Sequence, residues 1–146
     1  MVEPRYRPDL AVVKDDRTIA VVEIKARAHT TVAWAEQLRR ALLGDQSSQT
    51  YFIVAARDRT YVWSGEAAEP NVFDTSALLG PVLARARIAL GAATEETMAL
   101  AVSEWLLEFT LQPPRGGNGF TREQAALMDL GKQLRDGTIV REPVYA

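Results

Sequence analysis

The sequence contains no cysteine and a single histidine, His29, among its 146 residues. Without thiols the chain cannot form disulfides, thiolate metal sites or a cysteine nucleophile. One histidine is too few for a multi-histidine zinc site, and it gives only weak support for a serine–histidine–aspartate triad. Because the absence of cysteine is compatible with a reducing compartment, we expect a cytoplasmic location.

Long apolar runs and an excess of basic residues are also missing. No run approaches the roughly 18 apolar residues of a membrane-spanning helix, and no signal-peptide apolar region is visible, so we expect no membrane partner. Lysine and arginine number 17 against 19 acidic residues, for a net charge of −2. This balance argues against tight, non-specific binding of nucleic acid, although a local basic rim is still compatible with it.

The composition, 47% hydrophobic and 25% charged, is that of a globular chain with one core. Two apolar runs, 10–13 and 18–25, flank a polar turn and predict a β-hairpin. Both faces of the second run are apolar until its end, which indicates a central strand covered on both sides. Three more elements are predicted: a helix with Thr30 as its N-cap and two strands, at 30–43, 51–56 and 60–63.

The second half of the chain is predicted to be helical. Asp74 can cap one turn, and Pro81 can begin a helix that ends at Gly91. The helix from Thr94 has a buried stripe, and a further helix follows the glycine- and proline-rich linker 112–119. The stripe comprises Met98, Val102, Trp105 and Phe109. We therefore expect an α/β core over 1–72 and a helical extension over 73–146, packed together as one compact domain.

Acidic and basic side chains meet at the end of the predicted hairpin. Asp9 follows Pro8 at the start of one strand, while Glu23 and Lys25 share a face at the end of the next because side chains two apart do so. The two carboxylates and the Ile24 carbonyl are hard oxygen ligands of the kind that Mg²⁺ binds. Lys25 could orient an attacking water and offset negative charge in the transition state. The pattern predicts metal-dependent hydrolysis of a phosphodiester.

Pro8-Asp9 and Glu23-Ile24-Lys25, in a strand–hairpin–strand setting followed by a helix and a strand, resemble the PD-(D/E)XK nuclease superfamily. The resemblance covers roughly residues 5 to 63, and the chain is also similar to small bacterial proteins that carry this module. It implies a restriction-endonuclease-like fold, in which a mixed central sheet is flanked by helices.

The resemblance also implies roles for particular residues. Asp9 and Glu23 would bind Mg²⁺, for which Mn²⁺ should substitute, and Lys25 would be the catalytic lysine of a DNA endonuclease. Many members place a glutamine on the helix that follows, and Gln37 matches that place. The family core usually begins with a further helix that often bears an acid. Only seven residues precede Pro8, so Glu3 could stand in for that acid, or residues 1–6 could form a short first strand. The missing helix could instead come from the C-terminal helices or from a second subunit, and one metal is better supported than two.

Arginines near this site could bind phosphates bidentately, namely Arg5, Arg7 and Arg27. Each candidate also has an ordinary structural interpretation. Asp9 is a residue favoured in a turn after proline, Glu23 and Lys25 could be an exposed ion pair, and Gln37 could be a surface residue. His29 is expected to mark the loop before the helix rather than to act as a base.

A second hypothesis assigns the chain a different class of function: an inactive module of the same fold that works by binding a partner. It places an interface on the Met98–Trp105–Phe109 helix pair. An accessory subunit of a restriction or mobile-element system is a third interpretation. The last helix could also pack against a second copy, and a homodimer of this kind could cut both strands of a duplex.

Overall fold

Six strands of the described chain form one mixed sheet with helices on both faces. The computed structural model describes residues 8–43, 50–65, 67–111 and 122–141. The strands are β1 (Leu10–Lys14), β2 (Arg17–Lys25), β3 (Tyr51–Ala56), β4 (Arg59–Trp63), β5 (Asn71–Asp74) and β6 (Thr138–Arg141). The helices are α1 (Val32–Leu43), α2 (Thr75–Leu78), α3 (Gly80–Ala86), α4 (Glu95–Leu111) and α5 (Arg122–Leu134). None of these helices is both long and apolar enough to span a membrane.

The strand order is β5-β4-β3-β2-β1-β6. β1 and β2 are an antiparallel hairpin, and Asp15 and Asp16 have positive φ angles of 52° and 61° in its two-residue turn. This is the backbone that a tight hairpin turn requires and that aspartate tolerates. α1 crosses over so that β3 runs parallel to β2, while the pairs β3–β4, β4–β5 and β1–β6 are antiparallel. The prediction of a mixed sheet flanked by helices is confirmed.

The two faces of the sheet pack against different helices. On one face, partly buried side chains of α1 cover a cluster of buried strand residues: Ala11, Val21, Phe52, Val54, Tyr61 and Trp63. On the other face, α2 to α5 cover the alternate positions of the same strands: Leu10, Val12, Ala20, Val22, Ile24, Tyr51, Ile53, Ala55 and Val62. β2 is therefore central and covered on both sides, as its apolar pattern predicts.

α4 supplies a large part of the helical layer. Met98, Val102, Trp105 and Phe109 are all buried, and Trp105 packs on Phe109 with ring centroids 4.6 Å apart. The predicted stripe is confirmed as core. The interface placed on these residues by the second hypothesis is therefore wrong, because side chains at most 8% exposed are not available to a partner.

Some boundaries differ from the prediction for identifiable reasons. Thr31, rather than Thr30, caps α1 by accepting the Trp34 N–H at 3.1 Å, because the Thr30 hydroxyl is bound to Asp58. α3 ends at Ala86, several residues before Gly91, because the chain turns through a left-handed residue there. Asp74 caps α2 as expected, with its carboxylate accepting the Ser76 N–H.

β5 and β6 are strands that the sequence analysis does not predict. Each has four residues and lies at an edge of the sheet, and β6 brings a segment of the 73–146 region back beside β1. Strands this short have no period that distinguishes them from loops, so their pairing depends on the neighbouring strand. The segments 1–7 and 112–121 lie outside the described residues, so Glu3, Arg5, Arg7, Thr121 and the predicted linker do too.

Candidate active site

Asp9 lies at the mouth of the hairpin, one residue before β1 begins. Its Oδ2 accepts a hydrogen bond of 2.7 Å from the backbone N–H of Ile24, near the end of β2. The last pair of the hairpin register is Leu10 with Val22, so one further step places Asp9 opposite Glu23. The Asp9 carboxylate thus takes the place of the backbone carbonyl that would accept this N–H if the hairpin pairing continued. It is held against the strand segment that carries Glu23 and Lys25.

Glu23 and Lys25 lie on the α1 side of β2, following Val21 on the same face. The Glu23 side chain is 7% exposed and its Oε2 lies 3.9 Å from the Lys25 Nζ. Lys25 is 38% exposed, so its ammonium reaches water while its stem runs along the sheet. An ionised carboxylate in this place costs free energy unless partners compensate for it, and the adjacent ammonium is one such partner.

The Ile24 carbonyl points to the Asp9 side of β2 for a geometric reason. The N–H and C=O of one strand residue point to the same neighbouring strand, and the Ile24 N–H faces Asp9. The next residue on that side is Pro8, which is buried and has no N–H to donate to this carbonyl. Pro8 therefore cannot bind the carbonyl oxygen that the sequence analysis proposes as a metal ligand.

These donors suit one hard divalent cation better than an all-protein metal cage. Within the described residues, no group of three or more histidine, cysteine, aspartate or glutamate side chains is arranged to hold a metal. Magnesium usually binds one or two carboxylates and completes its octahedron with water and substrate phosphate. Within the described part of the chain, the hydrogen bond of the Asp9 carboxylate is made by Oδ2 and none is made by Oδ1.

A cavity of about 370 Å³ lies beside Asp9, between the end of the sheet and the first turn of α4. Its lining combines Asp9 and Ile24 with Glu95, Glu96 and Arg141, and with Ala99. Ile24 packs with the helical layer, so the cavity and the Glu23–Lys25 pair lie on opposite faces of β2. Asp9, at the strand end, adjoins both.

Sequence reasoning did not select Glu95, Glu96 or Arg141. Arg141 reaches the site because β6 pairs with β1, with Leu10 opposite Arg141. The two glutamates reach it because α4 begins at the end of the sheet. No local pattern marks Arg141. The two glutamates are distinguished in the sequence only by their place in the acidic first turn of α4.

The other described residues discussed for the predicted site lie on α1 or in the loop before it: Gln37, Arg27 and His29. Gln37 is exposed on α1 and forms no hydrogen bond within the described residues, so its supporting role stays a prediction. Arg27 is exposed, and its guanidinium lies 5.3 Å from the centre of the Trp34 ring. A cation held over an indole is partly pre-organised for a phosphate. His29 lies exposed in the loop before α1, as expected.

The loop after Lys25 is fastened to the β3–β4 turn. The Arg57 N–H donates to the Arg27 carbonyl at 2.9 Å. Asp58 accepts hydrogen bonds of 2.8 Å from both the backbone N–H and the hydroxyl of Thr30, which also contacts the Tyr61 hydroxyl. Burial alone would raise the pKa of the Asp58 carboxyl, but these hydrogen bonds outweigh burial and lower it.

The lowered pKa of Asp58 predicts an acid-dependent contribution to stability. We expect Asp58→Asn to lower the free energy of unfolding by about 1 kcal/mol at pH 7, because the charge-assisted bonds to Thr30 are weakened. The folded-state pKa lies below the usual 3.8, so this contribution is present above that value and is lost as the pH falls through the folded-state pKa. Urea unfolding at several pH values should show the two proteins converging only below about pH 4. A difference independent of pH would contradict this assignment.

Comparisons of the chain with protein-family models, with curated proteins and with solved structures find no match. The description of the fold and of the site therefore rests on the structure of this chain alone. They define a mixed α/β protein with two carboxylates and an ammonium gathered at one end of its central strand.

Proposed function

We propose that this protein is a metal-dependent endonuclease that hydrolyses phosphodiester bonds of DNA. The observation that carries the proposal is the hydrogen bond from the Ile24 N–H to Asp9, which holds this carboxylate against the strand segment that carries a buried glutamate with a lysine 3.9 Å away. Glu23 is 7% exposed on a strand otherwise lined by apolar residues, a position in which a carboxylate is rare unless it is paired.

Each residue has a distinct part in this proposal. Asp9, Glu23 and the Ile24 carbonyl would hold one Mg²⁺, or Mn²⁺ in its place. When bound, the ion supplies Lewis-acid activation of the phosphate and of water. The Lys25 ammonium, partly exposed beside Glu23, positions the attacking water and stabilises the negative charge that develops on the phosphate oxygens. Arg27, held over Trp34, binds a neighbouring phosphate.

A restriction-endonuclease-like core is part of the same proposal. It is supported by the order of the elements around the site: an antiparallel hairpin, a crossing helix and a strand parallel to the second strand of the hairpin. The homodimer stays a prediction, which light scattering at several protein concentrations can check.

The lining of the cavity couples substrate binding to the metal. Three carboxylates, Asp9, Glu95 and Glu96, face one guanidinium, Arg141. This surface repels a phosphate by itself and attracts it once a divalent cation has bound. Arg141 is then the only cationic partner for the phosphate among the described residues that line the cavity.

The expected result is DNA binding that depends on a divalent cation. Ca²⁺, which commonly supports binding without hydrolysis, should strengthen binding of a short duplex at least about tenfold over a chelator control, as measured by fluorescence anisotropy. Arg141→Ala should remove much of this gain, since a charge-assisted phosphate contact is lost. Arg87→Ala, at an exposed arginine after α3, serves as the matched control. Equal binding with Ca²⁺ and with chelator would contradict the coupling.

A further inference from the structure

α4 has an exposed apolar stripe on the side opposite its buried one. Leu100, Leu107 and Leu111 are 53%, 48% and 70% exposed, although leucine is a residue that folding normally buries. Their spacing of seven and four residues places all three on one line along the helix. Within the described residues, the large exposed hydrophobic side chains are these three and Val32 of α1, so three of the four lie on a single face.

The charges beside this stripe are of one sign. α4 carries four glutamates and no lysine, arginine or histidine. At 100° per residue, Glu104 and Glu96 lie on either side of the leucine line, within about half a residue-step of it. Glu108 is further round the helix and is neutralised by an ion pair with Arg85 of α3. The stripe is therefore apolar along its centre and acidic along its edges.

We infer that this face of α4 docks an amphipathic helix of a partner protein, whose apolar side is bordered by lysine or arginine. The leucines supply anchors at the spacing that one helix uses against another, and basic flanks would neutralise Glu96 and Glu104. This inference does not depend on nuclease activity.

A second copy of the chain is a poorer occupant of this face. Two α4 helices packed on each other would bring glutamates from both flanks together without a base to pair them. Three leucines also provide far less than the roughly 800 Å² per partner of a standard stable interface. A single basic helix matches the stripe in both size and charge.

A designed peptide can test this directly. The probe is a fluorescein-labelled helix of about four turns, with leucines at helical spacing and lysines on its flanks, and the comparison peptide has glutamate in place of each lysine. Anisotropy at physiological ionic strength should show saturable binding of the lysine peptide, at least about tenfold tighter than the glutamate peptide. Leu107→Ser should weaken the lysine peptide about tenfold, and Glu104→Lys should reduce the preference between the peptides.

The matched control is Val32→Ser, which removes an exposed apolar side chain of similar exposure from α1. It should leave peptide binding unchanged, and thermal unfolding should show that all three variants are folded. Absence of saturable binding, equal affinity for the two peptides, or equal effects of Leu107→Ser and Val32→Ser would overturn the inference. A dimer in light scattering that dissociates with Leu107→Ser would also overturn it, because a second copy would then occupy the stripe.

Discussion

Replacing Asp9 by asparagine should abolish Mg²⁺-dependent cleavage of duplex DNA while leaving the fold intact. The amide oxygen of asparagine can still accept the Ile24 N–H, so the contact that joins the hairpin mouth to β2 is kept. The negative charge and one metal ligand are lost, which should reduce the cleavage rate by at least about a hundredfold. Plasmid nicking under single-turnover conditions measures the effect, with thermal unfolding alongside.

Two further variants of the site extend this experiment. Asp9→Ala should lose both the activity and some stability, because it removes the hydrogen bond as well as the charge. Lys25→Ala should lose activity and some stability, because the buried Glu23 carboxylate loses the ammonium beside it. Asp15→Asn and Lys14→Ala, both at the turn end of the hairpin and away from Asp9 and Lys25, are the matched controls. Retention of cleavage by both Asp9→Asn and Lys25→Ala would eliminate the nuclease proposal.

Glu23→Gln should inactivate the protein. The amide keeps the size of the buried side chain but removes its negative charge, and with it one ligand of the proposed metal. We expect the cleavage rate to fall by at least about a hundredfold and the Mg²⁺-dependent thermal shift to disappear.

This result separates a functional glutamate from a structural one. If Glu23 had a structural role only, Glu23→Gln would change the free energy of unfolding and leave cleavage intact. Glu36→Gln is the matched control, because Glu36 pairs with Arg40 on the exposed surface of α1. An exposed pair of this kind contributes little, so this variant should stay within about 0.5 kcal/mol of the wild type. A destabilised Glu23→Gln that still cleaves DNA would exclude Glu23 as a metal ligand.

Part of the site is predictable from local rules because strand side chains alternate. Two residues apart on one strand, Glu23 and Lys25 had to share a face wherever β2 lay, and the structure places them 3.9 Å apart. The hairpin itself follows from two apolar runs around a short polar turn. The contact of Asp9 with the Ile24 N–H depends on the pairing register. The turn residues Asp15 and Asp16 set the register beside the turn, and a one-residue shift between Val12 and Val13 then places Leu10 opposite Val22.

Periodicity along the chain therefore determined the central strand, the crossing helix and the buried stripe of α4, since each is a local pattern of apolar residues. Tertiary structure alone decided that β6 returns beside β1, and with it that Arg141 joins Glu95 and Glu96 around the cavity. It also decided that Leu100, Leu107 and Leu111 stay exposed. Apolar side chains lie on both sides of α4, so the sequence predicts the buried stripe but not that the leucines on the other side stay uncovered. Their exposure depends on long-range packing, in which residues far apart in the chain compete for the same surface.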